Sequence, residues 1–220
     1  MNMYELEKRN AARGALEFVK NGMTVGLGTG STAAEFIRLL TDKIKSGLSV
    51  QCVATSVGSQ KLAESMSIEV VSLNKVKQIN IAIDGADIAT KTALLKGGGG
   101  ALTREKVIDY EAKQFIVIAD ESKIKTRLEG IVVVEVLPFA YPLVLKKLQS
   151  YSPSAAIRME KHEPVITDNG NYLIDCPMLV KTPKKTEEEI NQMPGVVENG
   201  IFTKFHRIII GKKDGYEFWV

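Results

Sequence analysis

Gly26-Leu27-Gly28-Thr29-Gly30-Ser31-Thr32 closes a short apolar run that begins at Met23 and leads into Ala33, Ala34, Phe36, Ile37 and Leu40, whose spacing is helical. An apolar run, a glycine-rich turn and a helix in direct succession describe a strand-to-helix junction of an α/β sheet. Related junctions recur. Asp84-Gly85-Ala86-Asp87 follows the apolar run 79–83 and so places two carboxylates where a buried strand ends. Lys96-Gly97-Gly98-Gly99-Gly100-Ala101-Leu102-Thr103-Arg104-Glu105-Lys106 carries four consecutive glycines straight into a helix-forming segment that bears a carboxylate. In open parallel sheets, the edge where strands give way to such loops is where ligands bind.

Strand and helix signals alternate on either side of these junctions. Ala12, Ala15, Leu16 and Val19 share one face of a first helix, and Asn21-Gly22 supplies its stop. Apolar runs at 23–27, 50–54, 68–73, 79–83 and 115–119 read as strands separated by helix-like segments or turns. After about Gly130 the rhythm changes to a strand over 131–137, a helix over 140–151 and a strand over 155–159. A hairpin follows around Asp168-Asn169-Gly170-Asn171, then a helix over 186–193 opened by a capping box of Thr186 and Glu189, then a strand over 196–202. This β-α-β-β-α-β order suits a ferredoxin-like lobe. Segments 208–211 and 216–220, flanking the Asp214-Gly215 turn, return to the first sheet.

The expectation is therefore an α/β protein. Residues 1–129 and 204–220 form a mainly parallel sheet with covering helices, Rossmann-like in type, and 130–203 form a smaller ferredoxin-like α+β lobe. There is no internal repeat.

Composition narrows the function. The 220 residues are 45% apolar and 25% charged, which is ordinary for a soluble globular protein. Net charge +3 arises from 29 basic and 26 acidic residues spread along the chain, so the concentrated basic face of a nucleic-acid binder is absent. No apolar run reaches membrane-spanning length and the N-terminus lacks the apolar core of a signal peptide, so a cytoplasmic location is expected. Cys52 and Cys176 are isolated, and His162 and His206 have no partner at zinc-site spacing, so neither a metal centre nor a histidine triad is expected.

The three loops each admit two readings. Gly28-x-Gly30-x-x-Ala33 fits a loose dinucleotide fingerprint, but no Asp or Glu stands between Lys43 and Ala63 to hold a ribose, and no Gly-Lys-Ser/Thr follows. What remains is a turn with N-cap hydroxyls, or a loop whose N–H groups and Thr29, Ser31 and Thr32 hydroxyls suit a phosphate monoester. Asp-Gly at 84–85 is a common turn pair, or part of a carboxylate pair at a strand end that holds hydroxyls of a ligand. The glycine run is a flexible linker, or an anion cradle beside a general base. Glu105 reads either as a first-turn glutamate complementing the helix dipole or as that base, with the Lys96 ammonium able to stabilise a developing oxyanion.

Together these segments, with Ile118-Ala119-Asp120-Glu121-Ser122-Lys123 and Pro194-Gly195-Val196-Val197-Glu198-Asn199-Gly200-Ile201-Phe202, closely resemble the ribose-5-phosphate isomerase A family. The resemblance runs in order along nearly the whole chain. It implies a metal-independent aldose-ketose isomerase of ribose 5-phosphate and ribulose 5-phosphate, with no organic cofactor, assembled as a homodimer or homotetramer. It makes Glu105 the proton-transferring base, with Lys96 and Asp84 beside it in catalysis. Asp84, Gly85, Ala86 and Asp87, then Lys96, Gly97, Gly98 and Gly99, become substrate-binding positions, as does Lys123, which local sequence alone would leave as a solvated surface lysine. Lys8 is a weaker candidate for the phosphate, because the N-terminal similarity is looser. Ile88 stands where the family often has an acidic residue, a departure expected to alter local packing or a contact behind the site without touching the carboxylates themselves. Two rival classes fit less well. An amino-sugar-phosphate deaminase would use a histidine near the acidic motifs, and a sugar-phosphate sensor of a transcription regulator would need a DNA-binding module before the first glycine loop.

Overall fold

The computed structural model describes residues 3–219. Along the chain it contains α1 (Met3–Leu16), β1 (Thr24–Leu27), α2 (Ser31–Lys45), β2 (Gln51–Ala54), α3 (Val57–Ser65), β3 (Ile81–Asp84), β4 (Ile88–Ala89), β5 (Leu94–Leu95), α4 (Leu102–Glu111) and β6 (Gln114–Asp120). There follow β7 (Glu129–Val136), α5 (Tyr141–Leu148), β8 (Ala156–Ile157), β9 (Met159–Glu160), β10 (Glu163–Pro164), β11 (Tyr172–Leu179), α6 (Pro183–Asn191), β12 (Val196–Asn199), β13 (Ile201–Phe202), β14 (Arg207–Lys212) and β15 (Gly215–Phe218). The chain divides into two compact units, Met1–Ala86 with Arg104–Ile124 and Lys204–Val220, and Asp87–Thr103 with Lys125–Thr203.

The first unit is built on a six-stranded sheet in the order β15-β14-β6-β3-β1-β2, parallel except for the β14–β15 edge pair. All four residues of β3 are buried, as a parallel strand covered on both faces requires. Helix α2 buries Ala33, Phe36, Ile37 and Leu40, one stripe at helical spacing, and the last three share a core with Val25, Leu27, Ile81 and Ile83. Small residues of α1, namely Ala11, Ala12 and Ala15, join the same core. From β1 the chain goes to β2 on one side and later returns to β3 on the other. The sheet order reverses between β1 and β3, and the carboxyl ends of those two strands are the position where open α/β sheets bind ligands.

The second unit contains an antiparallel sheet in the order β12-β7-β11-β8. With α5 between β7 and β8 and α6 between β11 and β12, this is the ferredoxin-like arrangement. Alternation along β7 decides its two faces. Val132, Val134 and Val136 pack with Val144, Leu148, Ile174 and Ile190, while Val133 on the opposite face meets Leu102 and Leu173.

Four expectations are corrected. Segment 68–73 is not a ladder strand: Val70 bridges Cys52 and the chain then leaves for solvent through exposed Ser72 and a 3-10 turn at Leu73–Lys75. Thr186 and Glu189 do not open α6, which starts at Pro183 because proline suits the first helical position, with Thr182 as N-cap. The strand expected over 196–202 is two strands, since Gly200 passes so close to the Lys96 carbonyl that a Cβ would overlap it; β12 pairs with β7 and β13 with β5. Finally, 87–103 belongs with the second unit rather than with 1–129, because β4 and β5 form a three-stranded sheet with β13.

Candidate functional site

At the carboxyl ends of β1 and β3 the first glycine loop is tied to the first aspartate. The Gly28 N–H donates to the Ile83 carbonyl at 3.0 Å, and the Thr29 N–H donates to Asp84 Oδ1 at 2.9 Å. Asp84 is fully buried and also accepts from the Gly85 N–H at 2.6 Å. This approach is possible only at glycine, because a Cβ on Gly28 would overlap the Asp84 carboxylate and its Cα. Gly28→Ala is accordingly expected to cost about 1–3 kcal/mol through overpacking, read as a lower urea midpoint at unchanged m-value. A midpoint equal to that of the parent protein would show that β1 and β3 tolerate separation here.

Behind the loop lies a hydroxyl network. Thr29 Oγ1 donates to Ser56 Oγ at 2.8 Å and sits 2.7 Å from Thr55 Oγ1, while Ser59 Oγ donates to the Gly28 carbonyl at 2.6 Å. Thr29 is thus held from the protein side. Gly30 and Ser31 are exposed and Thr32 is buried at the start of α2. The first intrahelical bond runs from the Ala34 N–H to the Gly30 carbonyl, so the amides of Ser31, Thr32 and Ala33 lie ahead of it. No acidic residue occupies the first turn, which leaves the positive end of the helix dipole available to an anion.

In the second unit, Lys96 follows β5 and is 2% exposed. Its N–H donates to the Gly200 carbonyl at 2.9 Å, and its ammonium stands 5.5 Å from the Phe202 ring centroid, within cation–π range. The glycine loop beyond it is gripped from two sides. Asp87 Oδ2 accepts from the Gly98 N–H at 2.8 Å, and Arg158 Nη1 donates to the Gly97 and Gly98 carbonyls at 3.1 Å each. Arg158 is itself held by Asp175, whose Oδ2 accepts from Nε at 2.9 Å. A flexible linker would not be anchored in this way.

Glu105 lies in the first turn of α4 and is 5% exposed, so its carboxylate is shielded from bulk water and is not the exposed dipole partner that local sequence allows. Lys123 is half-buried and ends a 3-10 turn that follows β6, with the Asp120 carboxylate capping that turn through the Ser122 N–H at 3.0 Å. His206 is engaged structurally: its Nδ1 accepts from the Phe115 N–H at 3.0 Å, and His162 is exposed. Burial pushes the thiols of Cys52 and Cys176 up to about 12, with Glu69 and Asp175 adding to the effect, so both stay protonated and unreactive at neutral pH. Among the described residues no group of three or more His, Cys, Asp or Glu is arranged to hold a metal ion, and no helix is long and apolar enough to cross a membrane.

Of the residues singled out from sequence, the structure brings Thr29, Asp84 and Gly85 together in one unit, and Asp87, Gly97 and Gly98 in the region of Arg158 in the other. Several supporting residues escaped that reading. Thr55, Ser56 and Ser59 form a run of hydroxyls just after an apolar strand, a signal that was present but unremarkable among many serines. Glu135 is a carboxylate set among the valines of β7, which marks it as unusual. Nothing local distinguishes Arg158.

An amide-rich loop at the switch point of a parallel sheet characterises α/β enzymes that act on small phosphorylated substrates. Sequence relationships narrow that class. Residues 51–215 match the family model of ribose 5-phosphate isomerase A (phosphoriboisomerase A), and the chain belongs to that family of aldose-ketose isomerases. It is 48% identical over 215 residues to the ribose-5-phosphate isomerase A of Methanococcus aeolicus, covering 94% of this chain and 92% of the relative. The solved structure of ribose 5-phosphate isomerase A from Methanocaldococcus jannaschii superposes with a TM-score of 0.92 at 44% identity, over 96% of this chain and 97% of that one. A D-ribose-5-phosphate isomerase solved in complex with phospho-erythronic acid superposes with a TM-score of 0.94 at 41% identity, over 100% and 99% of the two chains.

Proposed function

We propose that this chain interconverts D-ribose 5-phosphate and D-ribulose 5-phosphate through an enediolate, a step of the non-oxidative pentose phosphate pathway, using its own side chains without metal or organic cofactor. The observation that carries the reading is the 29–32 loop: amide and hydroxyl donors at the amino end of α2, joined through the Thr29 N–H to a buried aspartate at the sheet's switch point. The substrate phosphate sits on the amides of this loop and on the Ser31 and Thr32 hydroxyls. Thr29, whose hydroxyl is committed to Ser56, contributes its backbone and its hold on Asp84.

Asp84 and Asp87, with the Gly85 and Ala86 backbone, hold the sugar hydroxyls, and Asp84 assists ring opening. In the open aldose Glu105 takes the proton from C2, the electron pair moves through the C1–C2 bond, and negative charge develops on O1. Lys96, with Gly97, Gly98 and Gly99, stabilises that oxygen, and Lys123 adds a further cation for the bound substrate. Glu105 then returns the proton to C1 as the O2 proton is transferred to O1, giving the ketose. Burial of Glu105 favours return of the abstracted proton over loss to bulk water.

The test is incubation of the purified protein with ribose 5-phosphate and detection of ribulose 5-phosphate. No conversion removes the proposal. After exhaustive chelation the same rate is expected, and activity that disappears and returns with Mg²⁺ or Zn²⁺ would recast Asp84 and Asp87 as ligands. A cytoplasmic homodimer or homotetramer belongs to the same reading. Light scattering of the purified protein distinguishes the two assemblies, and a monomer would contradict both.

A further inference from the structure

Glu135 lies near the end of β7 with no exposed surface. Four donors converge on its carboxylate. Oε2 accepts from the Thr103 hydroxyl at 2.5 Å, and Oε1 accepts from the Thr167 hydroxyl at 2.8 Å and from the side-chain amides of Asn169 at 3.1 Å and Asn171 at 2.8 Å. The last three belong to one tight turn. Its backbone is fixed by the Thr167 N–H donating to the Asn171 carbonyl at 2.9 Å and by the Gly170 N–H donating to the Thr167 carbonyl at 2.9 Å.

All four of these donors are neutral. Burying a charge is costly, and an apolar residue would serve packing at least as well in a strand where Val132, Val133, Val134 and Val136 are buried. The arrangement has a different product: it joins a rigid turn, a central strand and the second residue of α4 through one carboxylate. Thr103 is two positions before Glu105, inside the same first helical turn. A base must be held within about half an ångström of the proton it removes, and a group two residues away that pins the helix start governs both its rotation and its advance along the axis.

We infer that Glu135 is a positioning residue for the isomerisation, anchoring the first turn of α4 through the Thr103 hydroxyl so that the Glu105 carboxylate is aimed at the reacting carbons. The inference rests on the reading of Glu105 as the base.

Thr103→Val keeps the shape and removes the donor, Thr103→Ser restores it, and Glu135→Gln alters the acceptor. On ribose 5-phosphate, Thr103→Val should lower kcat about 10-fold with KM within about twofold of the parent value, because ground-state binding is left intact. Thr103→Ser should recover most of kcat. The double variant Thr103→Val/Glu135→Gln should be no slower than the slower single variant, since both changes break one link. In a Glu105→Gln background, Thr103→Val should cost nothing further. Unchanged kcat in Thr103→Val, with only a lowered thermal midpoint, would reduce the link to a stability role and overturn the inference. So would an equal loss in the Glu105→Gln background. Should Glu135→Gln fail to fold, the half-buried Thr103 pair, the midpoint measurement and the Glu105→Gln background still decide the question. Failure of the base assignment is visible separately, as near-normal turnover of Glu105→Gln alone.

Discussion

Glu105→Gln is expected to lower kcat for ribose 5-phosphate by about 10²-fold or more while KM changes little, because the amide fills the space of the carboxylate but cannot accept the C2 proton. The structure sharpens this expectation. Glu105 is 5% exposed on the first turn of α4, so the substitution removes basicity from a shielded position and leaves the 29–32 loop untouched. Exchange of a C2 deuteron of the substrate with solvent should slow in parallel with turnover. Near-normal turnover in the variant would withdraw the base role. Slowed turnover with undiminished exchange would transfer the proton abstraction to another group and leave Glu105 a later step.

The junction at 26–32 was readable because every part of it is local. An apolar run that ends in glycine and continues at helical spacing needs no knowledge of its neighbours, and β1, the loop and α2 appear where that pattern puts them. The alternating order of the small lobe was readable for the same reason, since β7, α5, β11 and α6 each bury a face with its own period. Beyond these, the signal thins. Strands β4, β5 and β13 have two residues each, too few to show a period of two, and their pairing is set by Gly200 passing the Lys96 carbonyl, a contact between residues far apart in the chain. Consequently the boundary near 87 was invisible from sequence.

Motif and support differ in the same way at the candidate site. Gly28, Thr29, Asp84, Asp87, Lys96 and Glu105 all stand in short, chemically dense segments and could be picked out singly. Their supports come from elsewhere: Ser56 and Ser59 fix the Thr29 hydroxyl and the Gly28 carbonyl, and Arg158 holds the Gly97 and Gly98 carbonyls. A hydroxyl or guanidinium in such a role looks like any surface polar residue until the fold brings it to its partner. Glu135 is the informative exception, because a carboxylate flanked by buried valines demands donors from somewhere.

Free ribose, which lacks the phosphate, should react with kcat/KM lower by on the order of 10³-fold or more, because the energy of holding the phosphate is what keeps the distant C1 and C2 in line with the base. Three features of the 29–32 loop support this expectation. Its amides precede the first intrahelical bond of α2, no carboxylate opposes an anion in that turn, and Thr29 is restrained by Ser56 and Asp84 before any ligand arrives. Thr32→Val, which keeps size and β-branching, therefore tests the phosphate and not the fold. Its effect should be selective: weaker kcat/KM for ribose 5-phosphate by about 10-fold, as for one hydrogen bond to a charged group, with the poor reaction of free ribose almost unchanged. Measuring both substrates in both proteins closes the cycle. Equal proportional losses would mean that Thr32 supports the helix start or the chemistry, and the phosphate would have to be sought at another set of donors.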